Sequence, residues 1–347
     1  MGLRLRAALL VLVAFATPGS VLATIVSPTL AALEAEYGAS PAAAAWIVTA
    51  FLITAAVSGL TAGPLIDRLG ARGAVAVVGS VVVAGSVLAA LSPGVEGAIA
   101  GRALQGLSGA AIPIALTVAR HVLAGRSQAR ALGLLSTWGG VGGGLGLVLG
   151  GPIVHAWGPR AVFWVPAIAV AVVLAACPVI PPVGRRAGAR VDWPGILLLG
   201  LAVVAALAAL GGGTMPPALI AGLAVLAVAL AGLWWRHERR TRAPAIDPDT
   251  VRGPGMPMLL TANVLAGAAL LARLATLPGY LQTPVPLGGL GLDATVSGLL
   301  MVPTSVGVLL GGWIAGRIAH RVRAQHVLAG GLALIGVGMG LFVVAHD

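Results

Sequence analysis

Arg102 and Gln105 stand three residues apart inside an apolar run, so on a helix they share one face. A guanidinium at membrane depth is costly and faces either a cavity or a partner. It stays protonated, so it can hold a polar group but cannot easily relay a proton. The plainer alternative is that Arg102 lies near its helix end and snorkels to water. Thr24, Thr49, Asn263, Arg273 and Gln282 are further polar residues within or at the ends of apolar runs. With Arg102 and Gln105 they are the candidate lining of a weakly polar substrate cavity, which suits apolar substrates, the expected solutes being small and amphipathic or cationic. An interhelical hydrogen bond accounts equally well for Asn263, and snorkelling for Arg273. The runs hold no paired carboxylates, histidine cluster or Ser/His set, so no catalytic residue is assigned and an enzyme is not expected. The six histidines lack metal-ligand spacing, and no cofactor is implied. Cys177, the single cysteine, rules out an internal disulfide.

The elements that must position these residues are about eleven apolar runs, each near the length needed to cross a bilayer as a helix. They fall at roughly 7–30, 44–66, 74–91, 97–119, 132–154, 161–181, 194–211, 217–235, 258–281, 296–316 and 326–345. With 59% hydrophobic and 9% charged residues, the solvent for most of the chain is lipid. The expected class is an all-α polytopic membrane protein with the bilayer as a partner. The opening Met1–Arg6 and the pair Val21 and Ala23 imitate a cleavable signal, but the apolar run continues to Leu33.

The net charge of +11 comes from arginine alone among the basic residues, and it is not a nucleic-acid footprint. The arginines cluster in alternate loops: Arg4 and Arg6; Arg68 and Arg72; Arg120, Arg126 and Arg130; Arg185, Arg186 and Arg190; Arg236, Arg239, Arg240, Arg242 and Arg252; Arg317, Arg321 and Arg323. The opposite loops hold Arg160 with Glu34, Glu36, Glu96 and Asp293. The positive-inside rule then predicts a cytoplasmic N-terminus and, with an odd span count, an external C-terminus. Arginine without lysine, with heavy alanine and glycine, suggests a GC-rich bacterial genome and hence the inner membrane. The polar stretch 236–257 reads as a cytoplasmic linker, and its arginines either anchor topology or bind anionic lipid.

Between the second and third runs stand Gly63, Asp67, Arg68, Gly70 and Arg72. Gly63 can let helices approach, Gly70 can make a tight turn, and Asp67 can pair with arginine or a helix N-terminus. The spacing resembles the G-x-x-x-D-R-x-G-R-R loop of the major facilitator superfamily. Arg102, Gln105 and Gly106 are similar to that family's R-x-x-Q-G pattern. Gly312 to Arg321 echoes Gly63 to Arg72, the expected trace of duplicated bundles. Gly142, Gly146 and Gly150, followed by Pro152, form a small-residue face. That face resembles the superfamily's antiporter motif, and static packing explains it equally. It is expected to pack on Gly307 and Gly311 of the tenth run, which repeat the same spacing.

Thr24-Ile25-Val26, Trp46 to Leu52, Asp192-Trp193-Pro194-Gly195 and Leu277 to Gln282 resemble the drug:proton antiporters with fourteen spans. The resemblance implies a secondary transporter exporting drugs or small organic solutes by alternating access, with protons as a second partner. It divides the chain into a six-helix bundle at 1–192, two linker helices at 193–236, a cytoplasmic loop at 237–257 and a partial C-terminal bundle at 258–347. Two departures stand out. Leu22 occupies the position where the family usually has an aspartate, and no acidic residue lies at mid-membrane depth. Three runs, rather than six, follow the linker, as a truncated gene product or partial record would give. The alternative function is a non-transporting fragment or partner subunit. In the family the Asp67 loop contacts a late helix of the second bundle, so the resemblance implies a conformational latch, here left with local partners.

Overall fold

The computed structural model describes residues 3–185, 192–210, 215–241, 246, 248–318, 322 and 324–344. Every regular element among them is helical. The first six helices are α1 (Leu3–Thr24), α2 (Leu30–Tyr37), α3 (Pro41–Leu91), α4 (Val95–Gln105), α5 (Ala111–Val122) and α6 (Gly125–Trp157). They are followed by α7 (Ala161–Ala176), α8 (Trp193–Leu210), α9 (Pro217–Glu238) and α10 (Pro248–Arg252). The last four are α11 (Met256–Gln282), α12 (Ala294–Leu300), α13 (Val302–Ile318) and α14 (Ala324–Val344).

Helix ends follow local chemistry. The Ser40 hydroxyl accepts the Ala43 N–H at 3.2 Å with Pro41 in the first turn, a standard N-cap. Asp293 caps α12 by accepting the amides of Thr295 and Val296 at 2.7 and 2.9 Å. At 51 residues, α3 is about twice the length a bilayer needs. Gly70, at φ 72° and ψ 173°, breaks it into two arms, because only glycine takes that conformation cheaply. The two arms correspond to the second and third apolar runs. Among the described residues, six helical stretches are long and apolar enough to cross a membrane, and four shorter apolar helices join them. With α3 bent, this matches the expected number of runs.

The two arms of α3 pack with α1, α4, α5, α6 and α7 into one body. Its core joins Leu12, Phe15, Leu22, Phe51, Ile66, Val78, Ile114, Leu135 and Val170. A second cluster around Ile25, Ile47, Val162 and Phe163 fills the opposite end. There Arg160 donates to Glu36 at 2.8 Å and the Tyr37 hydroxyl donates to the Ala89 carbonyl at 2.9 Å, fastening α2 to its neighbours. The α8–α9 hairpin lies against α3, and α12 and α13 lie against α6. Leu147, Leu281 and Met301 form the small core between α6, α11 and α12.

The glycine face of α6 requires a correction. It packs on α1, not on the tenth run. A Cβ at Gly142 would lie 2.7 Å from the Thr17 carbonyl oxygen, one at Gly146 2.6 Å from that of Val21, and one at Gly150 2.8 Å from that of Ile25. Among the described residues, Gly307 and Gly311 meet no other helix within 4 Å of their Cβ positions. The contact between the fifth and tenth runs instead uses Gly298, whose Cβ would lie 2.5 Å from the Leu147 carbonyl oxygen. The physical reason is that four-residue glycine spacing specifies a close approach without specifying its partner. Pro152, beside the stripe, is exposed. Gly63 is also exposed and, among the described residues, has nothing within 4 Å, so they show no close approach there.

Gly146→Leu should therefore force α1 and α6 apart and cost about 1–3 kcal/mol, while Gly307→Leu should be tolerated. Unfolding midpoints of the two purified variants in the same detergent check this. Equal midpoints would place the glycine seam elsewhere.

Candidate functional site

Arg102 is completely buried and joins three helices. Its Nε donates to the Ile47 carbonyl of α3 at 3.0 Å, and its Nη1 donates to the Leu22 carbonyl of α1 at 3.0 Å. Nη1 also donates to Gln105 Oε1 at 2.9 Å. The Gln105 amide donates to Ser86 Oγ at 2.8 Å, and that hydroxyl donates to the Val82 carbonyl at 2.8 Å. The Phe51 ring covers the guanidinium, with Cζ 4.1 Å from its centroid. Nη2 has no hydrogen-bond partner among the described residues.

The local sequence explains this arrangement. Leu22 lies in the last turn of α1, where helix carbonyls lack intrahelical partners. A guanidinium placed there satisfies such a carbonyl and also meets the negative end of the helix dipole. Gly85 and Gly101 let α4 settle onto α3, since a Cβ at Gly85 would lie 2.6 Å from the Gly101 carbonyl oxygen. Arg102 thus neither lines an open cavity nor snorkels; it binds protein carbonyls. Its contact on α1 is the backbone of Leu22, the residue at the position where the resembling family places an aspartate.

The seven candidate cavity residues are only partly brought together. Arg102 and Gln105 share the network with Ser86 and Phe51, which sequence reasoning missed. Thr24 is buried in the glycine seam, where its hydroxyl donates to the Gly143 carbonyl at 2.7 Å. Thr49 and Asn263 bond to carbonyls one turn back on their own helices, Ala45 at 3.0 Å and Leu259 at 2.9 Å. Asn263 is exposed and Gln282 half-buried at the end of α11. The side chain of Arg273 lies outside the described ones.

The Gly70 loop clasps the segment after α7. The Ala71 amide donates to the Val183 carbonyl at 2.8 Å, Arg72 Nε donates to the Ile180 carbonyl, and Cys177 Sγ lies 3.4 Å from the Arg72 carbonyl oxygen. Arg68 stacks over Trp193 at 5.4 Å, linking this loop to α8. Asp67 is half-buried and engaged in an interaction of its own.

A second polar cluster holds the α8–α9 hairpin. Asp192 is the N-cap of α8: its Oδ1 accepts the Gly195 amide at 3.0 Å, with Pro194 in the first turn. The same oxygen accepts His237 Nε2–H from the end of α9 at 2.7 Å. Glu238, buried beside it, accepts the Ile246 amide at 2.9 Å. Burial alone would raise the pKa of Asp192. The hydrogen bonds from His237 and Gly195 work against burial, and the carboxyl sits below its ordinary value of 3.8.

The family model for the Major Facilitator Superfamily matches residues 10–192. An uncharacterized MFS-type transporter of Mycobacterium tuberculosis (strain ATCC 25618 / H37Rv) is 32% identical over 323 residues, covering 90% of this chain and 46% of that one. A triacylglyceride transporter of Mycolicibacterium hassiacum is 34% identical over 311 residues, 83% of this chain and 56% of the relative. The chain spans about half the length of the curated relatives it matches. Among solved structures, a peptide transporter POT in complex with sulfate superposes with a TM-score of 0.62 at 16% identity, covering 91% of this chain and 69% of that one. The proton:xylose symporter XylE superposes with a TM-score of 0.53 at 15% identity.

The depressed Asp192 pKa fixes the sign of an acid effect. Its stabilisation is fully present above the ordinary carboxyl value and disappears as pH falls through the lowered one. Unfolding midpoints of the unaltered protein and Asp192→Asn should therefore differ at neutral pH and converge below the carboxylate range. A constant difference across the titration would show that the carboxylate charge contributes nothing to the clasp.

Proposed function

Because the chain belongs to the major facilitator superfamily, we propose that it works as a secondary transporter moving apolar or amphipathic organic solutes out of a bacterial cell by alternating access. The observation that carries the substrate class is the engagement of Arg102. With that guanidinium bonded to two backbone carbonyls and Gln105, it offers an anionic solute no open binding site. No carboxylate lies at mid-membrane depth within these residues to hold an ionic cargo or to titrate with it. Recognition then rests on apolar surface and weakly polar groups such as Thr49, Asn263 and Gln282. Two relatives fit that chemistry by name: the triacylglyceride transporter and, at 29% identity, a multidrug resistance protein B homolog of Mycobacterium tuberculosis.

Proton exchange, implied by the antiporter resemblance, belongs to the proposal in a restricted form. A coupling group must titrate at the site, and within this chain mid-membrane carboxylates do not supply it. Among the described residues, nothing covers the faces of Gly307, Gly311, Gly336 and Gly340, which favours a second reading, a subunit or non-transporting membrane protein whose α13 and α14 pack on a partner's helices.

Purified protein in vesicles preloaded with a neutral fluorescent diacylglycerol analogue or a neutral lipophilic dye separates the two. The transporter reading expects saturable, protein-dependent movement of at least one probe, and no movement of a small organic anion. Stable insertion without movement of any probe would overturn it in favour of the subunit reading.

A further inference from the structure

The end of the α8–α9 hairpin that carries Asp192 and His237 also gathers arginines from separate parts of the chain. Arg236, Arg239 and Arg240 are exposed in and just beyond the last turn of α9. Arg252 of α10 is exposed and stacks over Trp235 at 5.0 Å. Arg68, from the bend of α3, is exposed and stacks over Trp193 at the start of α8. The Asp192–His237 bond places the two tryptophan-bearing helix ends side by side.

The acids at this end are mostly directed inward. Asp192 holds Gly195 and His237, and Glu238 is buried on the Ile246 amide. Asp67 is half-buried, which leaves Asp249, among the described residues, as the exposed carboxylate beside four exposed arginines on α9, its following turn and α10. Among the described residues, Arg236, Arg239 and Arg240 have no acidic partner within ion-pair range. Arg252, exposed and seated over Trp235, carries a planar fork of donors that suits phosphate oxygens.

The flank of this cluster is apolar. Little of α9 is buried, and Leu219, Val225, Leu226, Val228 and Leu233 are exposed along it. Tryptophans at such a boundary settle at headgroup depth. An exposed apolar helix, a tryptophan pair at its end and arginines immediately beyond them reproduce the order of acyl chain, interface and headgroup.

We propose that this end of the α8–α9 hairpin binds an anionic phospholipid, with Arg239, Arg240 and Arg252 on the headgroup phosphate and the acyl chains along α9. The attraction is electrostatic and local, because it falls off within a Debye length. The lipid would tie the linker hairpin to one leaflet and so fix the depth of the helices attached to it.

The test is photo-crosslinking of the full chain in nanodiscs of phosphatidylcholine doped with photoactivatable phosphatidylglycerol, or with photoactivatable phosphatidylcholine at the same mole fraction. Peptide mapping should place the phosphatidylglycerol adducts on residues 234–252, about threefold or more above those of phosphatidylcholine. The excess should vanish in the triple variant Arg239→Gln, Arg240→Gln, Arg252→Gln. Equal labelling by the two lipids in the unaltered protein overturns the site, and that comparison decides alone if the variant fails to insert. Persistence of the excess in an inserted variant also overturns it. Loss of the excess to millimolar inorganic phosphate would assign the arginines to a free anion instead and overturn the lipid.

Discussion

The body of this protein depends on one buried cation. Helices in a bilayer gain nothing from excluding water, so their arrangement rests on close packing and polar bonds. Arg102 supplies three such bonds at a point where α1, α3 and α4 meet. A hydrogen bond from a charged donor contributes roughly 1.5–3 kcal/mol. Leaving the guanidinium without its acceptors would cost more than that, because an unpaired buried charge is among the least favourable states in a protein. The arrangement is therefore close to all-or-none. Arg102 enters the body only if α1 ends where it does, and α1 is held there by Arg102.

That end of α1 is also gripped from the other side. The glycine face of α6 brings its backbone onto α1, and Thr24 donates across the seam to Gly143. One helix is thus caught between a cationic cap and a glycine groove. In a protein that alternates between two shapes, such a helix would move as part of its body rather than independently. The Gly70 loop works the same way at the arginine-rich end, where it binds the stretch after α7 through backbone groups. Asp192 and His237 extend this to the α8–α9 hairpin, which is thereby fastened at its open end.

Much of this was legible in the residues. Apolar run lengths gave the helices, and Gly70 marked the break between the arms of α3. The Asp192-Trp193-Pro194-Gly195 stretch carries a readable helix start, an N-cap followed by proline. The glycine stripe announced a close helix contact. Its partner could not be read, because glycine spacing describes a groove and not what fills it. Arg102 was legible as a group needing a partner. Two of its acceptors are backbone carbonyls, which every residue has, so no residue type could reveal them. Thr24 misled for a related reason: a hydroxyl in an apolar run looks the same whether it faces a cavity or a neighbouring carbonyl. His237 and Asp192 are 45 positions apart, and only the pairing of α8 with α9 joins them.

The most direct measurement is the unfolding midpoint, in one detergent, of the unaltered protein against Arg102→Lys and Arg102→Leu. If Arg102 is a structural cap, both variants lose stability. Lysine should fail to rescue, because a compact ammonium cannot reach the Ile47 and Leu22 carbonyls and Gln105 with the directed fork of a guanidinium. Midpoints unchanged in both variants, alongside a loss of solute transport, would contradict the account and return Arg102 to the substrate path.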